Sequence, residues 1–264
     1  MKAIAGGDTL AVLAFHSISL EPGPTSIPPA TFRMQIDVLA ESGFVSMTSR
    51  DFLEWRDGRF AAGAPRVLIT FDDGFADFAT AAYPVLRRHG YSAIAFVPTG
   101  KLGQREDWRG ANAARRALMD WSTVAELARS GIEFGGHGVS HADLTRLPAE
   151  RRREEIAGSA RDLTERLGEP PRCFAAPYGR ANREAIADIA ASYKAAFGTR
   201  FDRATRTCEL FDVPRIEMHY FRDPRRWRDF LTGERTYFLV RRALRSVRNG
   251  ARRVVDSRRP REGG

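Results

Sequence analysis

Leu68-Ile69-Thr70-Phe71-Asp72-Asp73-Gly74 is an apolar run that stops on two carboxylates and a glycine. Arg66 to Phe71, behind Pro65, is mostly apolar with β-branched members and reads as a short buried strand. The backbone must turn at Asp72-Asp73-Gly74, so two acidic side chains share a strand's carboxyl end, where α/β folds build their sites. Neighbouring carboxylates in a buried place repel unless a cation or a shared proton relieves them. Asp and Gly also favour plain turns, so the stretch alone supports either a site or a turn.

Outward from this strand the chain alternates between two periods. Leu10 to Phe15 reads as a first strand ending at His16-Ser17, followed by a loop with Pro22, Pro24, Pro28 and Pro29. Thr31 reads as the cap of a helix closed by Gly43, and Thr48 or Ser49 as the cap of the next. A helix is expected from about Phe75 to His89, a strand over Ala93–Val97, and a polar loop over Lys101–Ala117. Ser122 or Thr123 then caps a helix to Gly131, and Ile132–Phe134 is a strand running into Gly135-Gly136-His137. Pro148 opens a long helix ended by Gly168, and strands at 172–176, 195–197 and 213–216 flank a helix at 183–191. Such alternation predicts parallel βαβ units, and about seven of them predict an α/β fold that closes as a distorted (β/α) barrel.

Composition narrows the partners. Of 264 residues, 43% are hydrophobic and 28% charged, as expected of a globular chain with a sizeable core. The net charge is +9, but Glu234 to Gly264 holds ten Arg against three acids, a net +7, leaving +2 for everything before it. We therefore expect one folded domain over residues 1–233, a basic segment over 234–264, and no nucleic-acid groove across the body. Two cysteines without CxxC spacing imply neither a disulfide framework nor a cysteine zinc site. No secretory leader or 18-residue apolar run is evident, so the expected location is cytoplasmic.

His137 and His141 lie four apart at the end of the 132–134 strand, and a single helical turn would aim both rings at one point. Two imidazoles plus a carboxylate form a common open ligand set for a catalytic divalent ion. Thr70-Phe71-Asp72-Asp73-Gly74, His137-Gly138-Val139-Ser140-His141 and Phe174-Ala175-Ala176-Pro177-Tyr178-Gly179 together resemble the first three motifs of the polysaccharide deacetylases, carbohydrate esterase family 4. The resemblance runs over roughly residues 8 to 220, and its motifs are specific as a set.

That resemblance implies a distorted (β/α)7 barrel that hydrolyses N-linked acyl groups, usually acetyl from N-acetylglucosamine units, with a divalent ion, often zinc. It implies Asp73, His137 and His141 as metal ligands, Asp72 as general base and the Tyr178 N–H as oxyanion donor. The chemistry agrees, because an amide is a poor electrophile and needs a polarised carbonyl and an activated water. Two departures stand out. Ala175 occupies the place where many members carry an Arg that orients the base, and Arg215 on the last strand is our candidate to hold Asp72 instead. The usual late His motif is missing, with His219 a weak substitute. Phe15-His16-Ser17-Ile18 resembles the opening of the biofilm-polysaccharide deacetylases, which makes His16 the expected general acid.

Tyr178, Trp121 and Phe75 are candidates to line a sugar cleft, although Trp121 and Phe75 read equally well as core. His89, before Gly90, reads as a helix cap. In the basic segment Val240, Leu244, Val247, Ala251 and Val254 recur at helical spacing among arginines. This suits peripheral contact with an anionic membrane surface, or a helix packed on the barrel. The expected function is a metal-dependent N-deacetylase on an N-acetylated saccharide, polymeric or lipid-linked. The alternatives are a deformylase on a lipid-linked aminosugar and a non-catalytic saccharide-binding barrel.

Overall fold

The computed structural model describes residues 8–60, 63–108 and 115–246. Among these, the strands are β1 (Thr9–Phe15), β2 (Val45–Ser46), β3 (Arg66–Phe71), β4 (Ile94–Val97), β5 (Glu133–Gly136), β6 (Cys173–Ala175), β7 (Ala195–Phe201), β8 (Ala204–Thr205) and β9 (Val213–Glu217). Seven of them close a ring, β1-β3-β4-β5-β6-β7-β9 and back to β1, and every pairing in the ring is parallel. This is the expected (β/α)7 barrel. Two short strands lie outside the ring, β2 parallel beside β3 and β8 antiparallel beside β1.

Side chains alternate across each strand with period two, and the packing follows that rule. Leu10, Val12, Leu68, Phe96, Phe197 and Val213 fill the barrel interior. Ala11, Leu13, Phe15, Val67, Ile69 and Phe71 face outward against the helices. Both faces are therefore buried, which is why these strands read as continuous apolar runs rather than alternating ones. Continuing the same alternation in steps of two turns Thr70 and Asp72 inward from β3 beyond Leu68, and Arg215 inward from β9 beyond Val213. The β1–β3 register pairs Phe15 with Phe71, so the next residues, His16 and Asp72, emerge side by side.

The helices are α1 (Pro29–Glu41), α2 (Ser49–Arg56), α3 (Tyr83–Arg88), α4 (Trp121–Arg129), α5 (Ala149–Leu167), α6 (Arg183–Ser192) and α7 (Pro224–Thr232), with a further helical stretch over 236–246. Several ends differ from the sequence expectation. α1 starts at Pro29 rather than after Thr31, because proline's fixed φ and missing N–H suit a first helical position. Asp120, not Ser122 or Thr123, caps α4, its carboxylate accepting from the Thr123 N–H at 2.8 Å. Thr48 does cap α2, in a reciprocal box with Asp51. The helix expected from Phe75 begins only at Phe78, as one wide π turn through Ala82 before α3. Pro84 has no N–H to continue an α ladder, and the wide turn sits just before it. His89 ends α3 and pairs with Asp37 at 2.7 Å.

Candidate active site

Every ring strand is parallel, so the loops after their carboxyl ends meet at one mouth of the barrel. Asp72 and Asp73 follow β3, His137 follows β5, and His16 follows β1. His137 Nε2 and His141 Nε2 each lie 3.2 Å from Asp73 Oδ1. One ligand atom from each of these three buried residues falls within 4.8 Å of the other two, the one such Asp/His cluster found among the described residues.

The 137–141 segment makes no helical turn. It is a tight loop, with Gly138 at φ 74° and His141 at φ 63°. A Cβ on Gly138 would stand 2.9 Å from Glu155 Oε2. Glu155 on α5 accepts from the Val139 N–H and Ser140 N–H at 2.8 Å and from the Ser140 hydroxyl at 2.6 Å. That carboxylate replaces the hydrogen bonds a helical turn would have made, and it sets the angle between the two imidazoles. Among the described residues, only three non-glycine residues take positive φ: Asp73 (73°), His141 (63°) and Tyr178 (59°). Two belong to this cluster and Tyr178 packs against its His141, and such backbone costs about 1–3 kcal/mol apiece unless its surroundings enforce it.

The imidazole protons tell what the cluster can hold. The Ala175 carbonyl can only accept, so His137 Nδ1–H donates to it at 2.7 Å, leaving Nε2 as a lone pair in the neutral ring. That lone pair faces a carboxylate oxygen, and two acceptors at hydrogen-bonding distance need a cation or an extra proton between them. Burial raises the Asp73 carboxyl, but the His137 and His141 rings beside it outweigh that and hold the group well below the usual carboxylate range. Burial pushes His141 down, so its neutral, ligating form is favoured. Two nitrogens and a carboxylate oxygen with an open side suit a divalent ion.

Asp72 is held differently. Arg215 Nη1 and Nη2 each donate to one of its oxygens at 2.7 Å, and Nη1 also reaches the Thr70 hydroxyl at 3.1 Å. Arg215 Nε donates to the Gly198 carbonyl at 2.8 Å, so the guanidinium is fixed from both sides. Burial alone would raise Asp72, yet the Arg215 charge and hydrogen bonds bring it below its ordinary value. His16 Nε2 lies 3.8 Å from Asp72 Oδ2. Its loop is anchored by Asp77, which accepts from the Ser17 hydroxyl at 2.5 Å and the Ile18 N–H at 2.8 Å.

Tyr178 stands at the rim, 49% exposed, with its ring edge-on to His141 at 4.8 Å. Of the other sequence candidates, Phe75 is buried beneath Arg116 and packs against Trp108, Trp121 is covered by Arg166 at the start of α4, and the His219 ring accepts from Arg222. Two contributors escaped the sequence reading. Trp108 comes out of the polar 101–117 loop and stacks on the His141 ring, with centroids 4.1 Å apart and planes at 21°. Its signal was a lone Trp in a polar insertion after a strand end. Glu155 was signalled by falling on the buried stripe of α5 with Ser159 and Leu163, at four-residue spacing.

Removing Arg215 has a readable consequence. In Arg215→Met the burial that raises Asp72 loses its strongest opposition, so its carboxyl titrates at higher pH than in the parent. The acid limb of the kcat/KM profile then moves to higher pH, while Arg215→Lys restores part of the shift. An unmoved limb in the Met variant would show that Asp72 does not set it.

Comparison with known proteins agrees with this geometry. The family model described as polysaccharide deacetylase matches residues 61–196, just over half of the chain. The Bacillus subtilis protein YxkH, which carries a polysaccharide deacetylase name, is 24% identical over 210 residues, covering 79% of this chain and 71% of its own. The poly-β-1,6-N-acetyl-D-glucosamine N-deacetylase of Escherichia coli is 25% identical over 240 residues, 77% of this chain but only 36% of that longer protein. Among solved structures, a Streptococcus pyogenes deacetylase in complex with acetate superposes with a TM-score of 0.69 at 23% identity, over 79% of this chain and 91% of its own.

Proposed function

We propose, from the premise that this chain belongs to the polysaccharide deacetylase family, that its barrel mouth removes the N-acetyl group from an amino sugar within a polysaccharide. It is a carbohydrate N-deacetylase by kinship, and poly-β-1,6-N-acetylglucosamine is the first substrate to try, given the relatives that carry that name. The observation that carries the reading is the pairing of a three-ligand cluster with an adjacent carboxylate that ligates nothing and is forked by Arg215.

Asp73, His137 and His141 would hold the divalent ion, and their borderline donor set favours zinc. When bound, the ion supplies a Lewis acid for the amide carbonyl and activates water. The protein's own groups do the rest. Asp72, kept ionised by Arg215, takes a proton from the attacking water at a carboxylate oxygen. Its lowered pKa weakens it as a base but keeps it deprotonated at neutral pH, a trade that general-base catalysis tolerates. His16, beside Asp72, delivers a proton to the departing sugar nitrogen, without which the C–N bond cannot break. Tyr178, at positive φ and beside His141, is the residue whose backbone N–H donates to the oxyanion in this reading. Trp108 and Glu155 hold the His141 side of the cluster in place.

The test is product release from poly-β-1,6-N-acetylglucosamine oligomers and from N-formyl analogues, with and without a chelator. Acetate that disappears with the chelator and returns with zinc supports the reading. Formate in preference to acetate points to the deformylase alternative, and no release from any acylated sugar points to a saccharide-binding barrel.

A further inference from the structure

Helix 236–246 is amphipathic the wrong way round for a lone globular chain. Its inner face carries Phe238, which is buried against Phe201 and Phe230. Tyr237 on that side donates its hydroxyl to the Tyr220 carbonyl at 2.7 Å. The arginines are used there too: Arg242 pairs with Asp202 at 3.0 Å, Arg241 lies over Tyr220 and Tyr237, and Arg245 lies over Phe201 and Tyr220. What faces solvent is the stripe Leu239, Val240, Ala243 and Leu244, at i, i+1, i+4 and i+5, with the three larger residues 43%, 52% and 58% exposed. A helix with its apolar stripe outward is an interaction surface rather than a packing element.

Place and charge identify the partner. Asp202 follows the carboxyl end of β7 and Tyr220 that of β9, so the helix is docked at the barrel end that carries Asp72 and Asp73. Leu20, in the loop after β1 at that same end, is 83% exposed. The segment from Glu234 onward carries a net +7 with no lysine, and Val247, Ala251 and Val254 continue the apolar spacing in sequence, although 247–264 lie outside the described residues. A protein partner would need a matching groove, but an apolar stripe edged by arginine is itself complementary to a bilayer with anionic headgroups.

We propose that helix 236–246 docks this protein on an anionic phospholipid bilayer, with Leu239, Val240 and Leu244 in the interface and the barrel mouth turned toward the membrane. This goes beyond the deacetylase assignment and is read without turnover.

The experiment is co-sedimentation of the full chain with vesicles of phosphatidylcholine, alone or mixed with phosphatidylglycerol. We expect pelleting only with the mixed vesicles, weakening as salt screens the headgroups, and falling about tenfold or more in Val240→Asp/Leu244→Asp. An unchanged thermal midpoint shows that the variant is folded, as expected for exposed positions. Pelleting that the double variant leaves intact overturns the proposal, since charge alone would then explain it. No pelleting also overturns it: light scattering that reveals a dimer lost in the variant would assign the stripe to a second copy. Slow amide exchange over 239–244 in a monomer would assign it to the chain's own residues 247–264.

Discussion

Asp72→Asn lowers kcat by about 10²–10⁴-fold while the metal content of the protein stays that of the parent. The amide is nearly the same size and still accepts one hydrogen bond from Arg215, so the site keeps its shape and loses only the proton acceptor. The second oxygen becomes an NH₂ facing a guanidinium N–H, donor against donor, and this costs stability as well. Thermal unfolding should register that cost, and metal analysis separates it from loss of the ion. A variant that turned over at the parent rate with metal bound would remove Asp72 from the chemistry. His16→Ala should likewise slow turnover at constant metal content, because the ring stands 3.8 Å from Asp72 and is not one of the three clustered Asp/His residues.

Asp73→Ala acts by the other route, abolishing activity together with bound metal. The carboxylate oxygen is the point shared by both imidazoles, each at 3.2 Å, so without it two neutral rings are left as a poor bidentate site. His137→Ala should match it, and added zinc should rescue neither at concentrations that saturate the parent. Metal content after dialysis is the measurement; stoichiometric metal in the Ala variants would mean that the ion sits elsewhere. The two aspartates are adjacent in sequence, yet one substitution should cost turnover alone and the other turnover plus metal. That contrast is the sharpest consequence of the geometry, because a plain turn would distinguish them in neither way.

The fold was largely legible. Two-sided burial in the barrel makes each ring strand an apolar run, and the helix between runs carries its own caps and glycine stops. Boundaries slipped where local chemistry competed, as at Pro29, where a proline opened the helix before the threonine, and at Pro84, where the ladder widened. The site was legible in its chemistry but not in its supports. Asp72, Asp73, His137 and His141 stand out because their side chains have few other reasons to cluster at strand ends. Glu155 and Trp108 look like a surface acid and a loop aromatic until the fold brings them against the 137–141 loop and the His141 ring.

From residues alone came the alternation of strands and helices, the acidic strand end, the spaced histidines and the displaced positive charge, since each depends on neighbours within a few positions along the chain. Only the closed barrel decided that Arg215 meets Asp72 across 143 residues, that His16 stands beside that carboxylate, and that the stripe of helix 236–246 faces outward. Those facts depend on register and on which face of each strand or helix is turned inward. Register and facing are properties of how distant segments pair, and no local sequence pattern encodes the partner.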